Sequence, residues 1–172
     1  MIKKALLLSI TLLFSSATFA QNWYVGGGAG FIEFDDGIDT ISPTNLYIRG
    51  GYQFNQYFNV GLETSLTASS DQLSDLPGVD FDVDVVTFYV RGGVPVNESI
   101  WVYAQIGRSN TELTGEFQGI EVSEDDNDTM FGLGAEIDLG SDKTYLALNY
   151  SSYNNNDGVD VTAFNIGVGL RF

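Results

Sequence analysis

The chain closes on Val161-Thr162-Ala163-Phe164-Asn165-Ile166-Gly167-Val168-Gly169-Leu170-Arg171-Phe172. From Phe164 onward every even position is large and apolar, and every odd position is small or polar. A period of two is the mark of a β-strand with two unlike faces. A soluble sheet could use such a strand, but a terminal one ending on an aromatic suits another setting better. In a transmembrane barrel the last strand must pair with the first, because an open sheet edge is not tolerated in lipid.

The other end sets the compartment. Lys3 and Lys4 precede the mostly apolar run Ala5 to Phe14, and Thr18-Phe19-Ala20 follows as a small-large-small cleavage site. These regions read as a secretory signal peptide over residues 1–20, cut before Gln21. The apolar run is too short for a comfortable membrane-spanning helix. Residues 21–172 then form one domain. The chain has no Cys and no His, so export brings no disulfides. Its net charge is −16, and −18 once Lys3 and Lys4 leave with the leader. Nucleic acid is excluded as a partner, since phosphate binding needs a basic face.

Seven further segments alternate as the last one does. They are Asn22–Phe34, Leu46–Phe54, Tyr57–Leu66, Asp84–Val94, Ile100–Phe117, Thr129–Leu139 and Lys143–Tyr153, with Asp160–Phe172 as the eighth. In each, one face holds most of the apolar residues. The other holds Gly, Ser, Asn, Gln and charge, with a few aromatics such as Tyr47, Tyr89 and Trp101. The apolar face has almost no Lys, Glu or Asp along its middle, which suits lipid. The small residues suit the crowded interior of a narrow barrel. No segment after residue 20 has the roughly 18 continuous apolar residues of a spanning helix.

Connections alternate in length. Asn55-Gln56, Pro95 to Ser99 and Gly140 to Asp142 are short turns. Asp35–Asn45, Thr67–Val83, Gln118–Asp128 and Asn154–Val159 are expected as longer or acidic loops. Short turns on one side and long loops on the other describe an outer-membrane barrel with both termini at the periplasmic end. The expected fold is all-β, an eight-stranded antiparallel up-and-down transmembrane β-barrel.

Several stretches resemble a known family. Trp23-Tyr24-x-Gly26 opens the mature chain. Tyr47-Ile48-Arg49-Gly50-Gly51 recurs as Tyr89-Val90-Arg91-Gly92-Gly93, and Gly167-x-Gly169-x-Arg171-Phe172 ends the chain. Together they resemble the small eight-stranded outer-membrane β-barrels of Gram-negative bacteria, the OmpA-like transmembrane domain and the OmpX/Ail-type surface proteins. The resemblance implies a role at the cell surface, with outer-membrane lipid and lipopolysaccharide as surroundings, and the chain is expected to be a monomeric barrel alone. It also implies that Phe172 stands where the barrel-assembly machinery reads its signal. A lipid-facing girdle aromatic is the second reading of Phe172, and both can hold.

Four charges share the interior parity a few residues from a periplasmic turn: Arg49, Glu63, Arg91 and Glu136. At a tilt of about 40° and a rise of about 3.3 Å per residue they fall in one layer, roughly 10–18 Å up. Asp138 and Arg171 are expected lower. A buried ion-pair network filling the lumen is the simplest reading, because an unpaired charge there costs several kcal/mol. The OmpA-like resemblance implies the same. The alternative is a narrow porin-like channel for ions or very small solutes, with these pairs as its gate.

The acidic run Glu124-Asp125-Asp126-Asn127-Asp128 offers hard oxygen ligands, so Glu124, Asp125, Asp126 and Asp128 form a candidate loop site for a divalent cation. No EF-hand spacing is present, and a solvated acidic surface facing extracellular partners is the simpler reading. Arg108 continues the outward parity of Ile106, about 20 Å above its turn, where it meets a lipid phosphate or snorkels into water. Without His, the Ser–His chemistry of lipid-modifying barrels lacks its base. The chain reads as a non-enzyme without a cofactor, at the bacterial outer membrane, with a structural or surface-interaction role in adhesion or resistance.

Overall fold

The computed structural model describes residues 22–35, 37, 39–72, 79–117, 120–141, 143–156 and 159–172. The expected leader, residues 1–20, lies outside them. The terminal alternation becomes a strand that seals the sheet. Trp23–Asp35 (β1) pairs antiparallel with Val159–Arg171 (β9), from Tyr24 opposite Arg171 to Asp35 opposite Asp160. At the lower end Phe172 N–H donates to Trp23 O at 2.9 Å, and Asn22 N–H donates to Phe172 O at 3.0 Å.

Between them lie Thr40–Ile41 (β2), Thr44–Asn55 (β3), Phe58–Ser69 (β4), Asp80–Asn97 (β5), Ile100–Phe117 (β6), Ile120–Ser141 (β7) and Thr144–Asn156 (β8). From β3 on, each strand pairs with the next, and β3 also pairs with β1. The result is a closed eight-stranded antiparallel barrel, with β2 as a ninth, two-residue strand on the outer end of β1. Closure leaves no ladder edge within the wall, which is what lipid demands.

Exposure decides which face meets lipid. Leu62 is 58% exposed, Leu133 65% and Val168 57%, whereas Arg91 is 0% exposed and Asn149 2%. The apolar parity therefore faces out and the polar parity faces the lumen. Trp23, Phe54, Tyr57 and Phe172 are exposed near the lower end, the aromatic girdle of a membrane barrel. The Trp23 and Tyr52 rings meet edge-on, with centroids 5.3 Å apart. At the periplasmic end the chain reverses tightly. Asn55 Oδ1 accepts from Tyr57 N–H (2.8 Å) and Phe58 N–H (3.0 Å), and Asn97 Oδ1 accepts from Ser99 N–H (2.8 Å). These Asx turns explain why Asn stands at both reversals.

The outer connections differ from expectation. The segment expected as a loop over residues 118–128 is largely strand: β7 starts at Ile120 and stays in register with β6 up to Phe117 opposite Ile120. Likewise β5 starts at Asp80, within the expected loop Thr67–Val83, and pairs with β6 from Asp80 opposite Glu116. Acidic residues are poor strand formers, but the ladders to β6 satisfy backbone groups along one edge of β5 and of β7. A three-stranded sheet of β5, β6 and β7 thus rises beyond the barrel, since β4 pairs with β5 only up to Ser65 opposite Val85, and β8 with β7 only up to Ser152 opposite Phe131.

Candidate functional site

Period two puts Arg49, Glu63, Arg91 and Glu136 inside the lumen, and all four are buried. Arg49 and Glu63 stand directly opposite each other on β3 and β4. Arg49 Nη1 lies 3.8 Å from Glu63 Oε2, and Arg91 Nη1 lies 3.5 Å from Glu136 Oε1. Arg171 and Asp138, expected lower, join this layer through their side chains. Arg171 Nη2 donates to Glu136 Oε2 and Nη1 to Asp138 Oδ1, each at 2.6 Å. The physical reason is reach: Arg171 sits low on β9, but its long side chain spans to the β7 carboxylates. Glu136 therefore lies between two guanidiniums, and its two oxygens serve one each.

Neutral groups extend the network. Arg91 Nε donates to Gln105 Oε1 at 2.8 Å, and Gln105 Nε2 donates to Ser151 Oγ at 2.9 Å. Ser151 Oγ donates to Asn149 Oδ1 at 2.7 Å. Tyr153 OH donates to Glu63 Oε1 at 3.3 Å. A chain of partners of this kind makes buried charge tolerable.

Tyr24, Tyr47, Tyr89, Tyr103, Tyr145 and Tyr153 are buried in the interior, among them the Tyr47 and Tyr89 that alternation had placed there. The Arg91 guanidinium lies over the Tyr89 ring at 4.2 Å and the Tyr103 ring at 4.5 Å, and that of Arg171 over Tyr145 at 4.4 Å. Such stacking favours the cation in a dry site. Each of these rings needs a gap in the facing wall. Tyr89 stands opposite Gly61, Tyr103 opposite Gly134 and Tyr145 opposite Gly169. A Cβ on Gly134 would lie 2.5 Å from Tyr103 Cζ, and one on Gly169 would lie 2.2 Å from Tyr145 Cζ. A signal was present in sequence: interior tyrosines on one strand face glycines on the next.

Above the charges lies a different layer. Ile32, Val83, Val85, Met130, Val161 and Ala163 are buried within the outer part of the lumen and form one apolar cluster with Ile41, Tyr89 and Tyr153. Phe34, Phe81 and Leu113 pack against it.

The outer sheet is charged in the opposite manner. Asp84, Glu112 and Asp125 occupy one cross-strand row, and Asp80, Glu116 and Glu121 another. Glu124, Asp125, Asp126 and Asp128 belong to β7, where alternation sends Asp125 to the face opposite the other three. Among the described residues no group of three or more acidic side chains is brought together to hold a metal ion. Arg108 is exposed on the outer wall, opposite Phe88 and Thr129.

A profile described as outer membrane protein beta-barrel domain matches residues 5–172. No curated protein matches. Among solved structures, Ail, the attachment invasion locus protein of Yersinia pestis, is 19% identical with a TM-score of 0.67, covering 88% of this chain and 99% of its own. Neisserial surface protein A is 14% identical with a TM-score of 0.72, covering 89% and 99%. OprG of Pseudomonas aeruginosa is 15% identical with a TM-score of 0.60, covering 89% and 97%. At these identities the likeness is one of fold.

Proposed function

Because the chain belongs to the family of outer-membrane protein β-barrel domains and sits in the bacterial outer membrane, we propose that its barrel is a closed anchor and that its function lies in the acidic sheet above it. The observation that carries this reading is the filled lumen, with Arg91 0% exposed beneath Val83, also 0% exposed. An eight-stranded barrel has an interior just wide enough for side chains. These side chains pair, stack and pack across it, which supports a plug rather than a pore.

The role is surface interaction, in adhesion or resistance, by a monomer that catalyses nothing. Phe172 serves as the assembly signal and lipopolysaccharide surrounds the barrel, a reading supported by the family resemblance. Ail has been seen with the heparin analogue sucrose octasulfate. The projecting sheet here carries acidic rows, so a polyanion is the wrong partner for it, and a cationic surface is the right one. A cavity of about 270 Å³ at the periplasmic mouth favours the second reading, a narrow channel for ions or very small solutes. The packed upper layer weighs against it.

Removing residues 110–127, so that a short turn links Ser109 to Asp128, tests the reading on whole cells. The trimmed barrel should still fold, with its heat-modifiable gel shift intact, while cell attachment to cationic surfaces is lost. Unchanged attachment would overturn the assignment to the outer sheet.

A further inference from the structure

We propose that the permeability barrier is the apolar layer under the outer mouth, and that the ion-paired layer below it belongs to a vestibule open only to the periplasm. The inference deepens the closed-lumen reading and rests on it.

The lumen has two unlike halves. The lower half is entered from the short-turn end by the cavity of about 270 Å³, lined by Tyr24, Asn59, Trp101, Glu136, Asp138 and Arg171. The side chains of Arg171 and Asp138 are 22% and 21% exposed, so the charged layer is reached from that side. Its polar groups can hydrate an ion or hand it between partners.

The upper half is lined differently among the described residues. Val83 is 0% exposed, Met130 and Val161 1%, Val85 and Ala163 2%, and Ile32 3%. Burial so close to the outer rim means that the mouth is covered, and Ile41 of β2, Phe34, Phe81 and Leu113 are the cover. Asn45 and Thr67 nearby turn into the wall instead. Asn45 Nδ2 donates to Ser65 Oγ (3.1 Å) and to Val83 O (2.7 Å), and Thr67 Oγ1 accepts from Val83 N–H (2.9 Å). A cavity lined by apolar groups stays dry, and an apolar constriction stops ions by dewetting. Exchange of partners between Arg49, Glu63, Arg91 and Glu136 would then rearrange the vestibule without opening the barrel. The barrier lies above them.

The absence of cysteine makes the test clean. Single variants Asn59→Cys and Ala163→Cys are refolded into liposomes, with insertion direction read from protease trimming of the β6–β7 hairpin. A charged methanethiosulfonate is then added to each side. Asn59→Cys should react from the short-turn side, and Ala163→Cys from neither side, more slowly by roughly 100-fold. In parallel, ion leakage is compared for the wild type, Glu63→Gln, and the double variant Val85→Asn with Val161→Asn. The double variant should leak at least roughly tenfold faster than the wild type, while Glu63→Gln stays near it. Rapid labelling of Ala163→Cys from the loop side, or leakage in Glu63→Gln alone, would overturn the seal. If the double variant loses its heat-modifiable shift, the two cysteine variants decide. Leakage of the wild type itself would instead defeat the closed-lumen reading, which keeps the two failures apart.

Discussion

The lumen and the outer sheet are both rich in carboxylates, yet they treat them in opposite ways. In the lumen Glu63, Glu136 and Asp138 each lie within 3.8 Å of an arginine nitrogen. In the outer sheet Asp84, Glu112 and Asp125 face one another across neighbouring strands. The difference follows from solvent. A buried charge must be neutralised by a partner, whereas water and salt screen like charges on a projecting sheet. Fold thus decides where the five basic residues after position 20 are spent: Arg49, Arg91 and Arg171 are in the lumen, Lys143 is at a turn, and Arg108 is outside.

The contrast can be broken most forcefully at its best-paired carboxylate. Glu136→Ala leaves Arg91 and Arg171 without their shared partner, and should cost about 3–5 kcal/mol in urea unfolding followed by gel shift. A loss as small as that of an exposed pair would mean that the lumen is wetter than its burial implies. Gly134→Ala probes the packing that surrounds the pairs. Its Cβ would meet the Tyr103 ring, so a loss of about 1–3 kcal/mol is expected in the same assay, and Tyr103→Phe should not relieve it, since the ring remains. The smallest effect belongs to the outer sheet, where Glu112→Gln should stabilise the protein by about 0.2–1 kcal/mol at low salt. That gain should shrink as salt is raised, because screening already removes the repulsion. A destabilised Glu112→Gln would show that the row is paired with something.

Much of this was legible in the chain. Alternation in residues 164–172 placed the final strand and its closing role, the scarcity of charge on the apolar face said which side meets lipid, and Asn55 and Asn97 marked two of the turns. The four lumen charges were visible by parity alone. Three features were not. The outer sheet reads as loop because Asp and Glu are poor strand formers, and only the ladder to β6 makes a strand of residues 120–128. The pairing of Arg171 with Glu136 depends on side-chain reach across the closed barrel, which strand-by-strand height does not measure. The apolar layer is spread over the interior parity of five strands, with Ile41 on a sixth, so no single strand shows it.

The central claim is that the lumen of this barrel is filled and does not conduct. Single-channel recording of the refolded wild-type protein in a planar bilayer tests it most directly. A silent bilayer, with the protein shown to be folded by its gel shift, is the predicted result. Steady conductance steps would contradict the account, and would turn Arg49, Glu63, Arg91 and Glu136 from a plug into the lining of a pore.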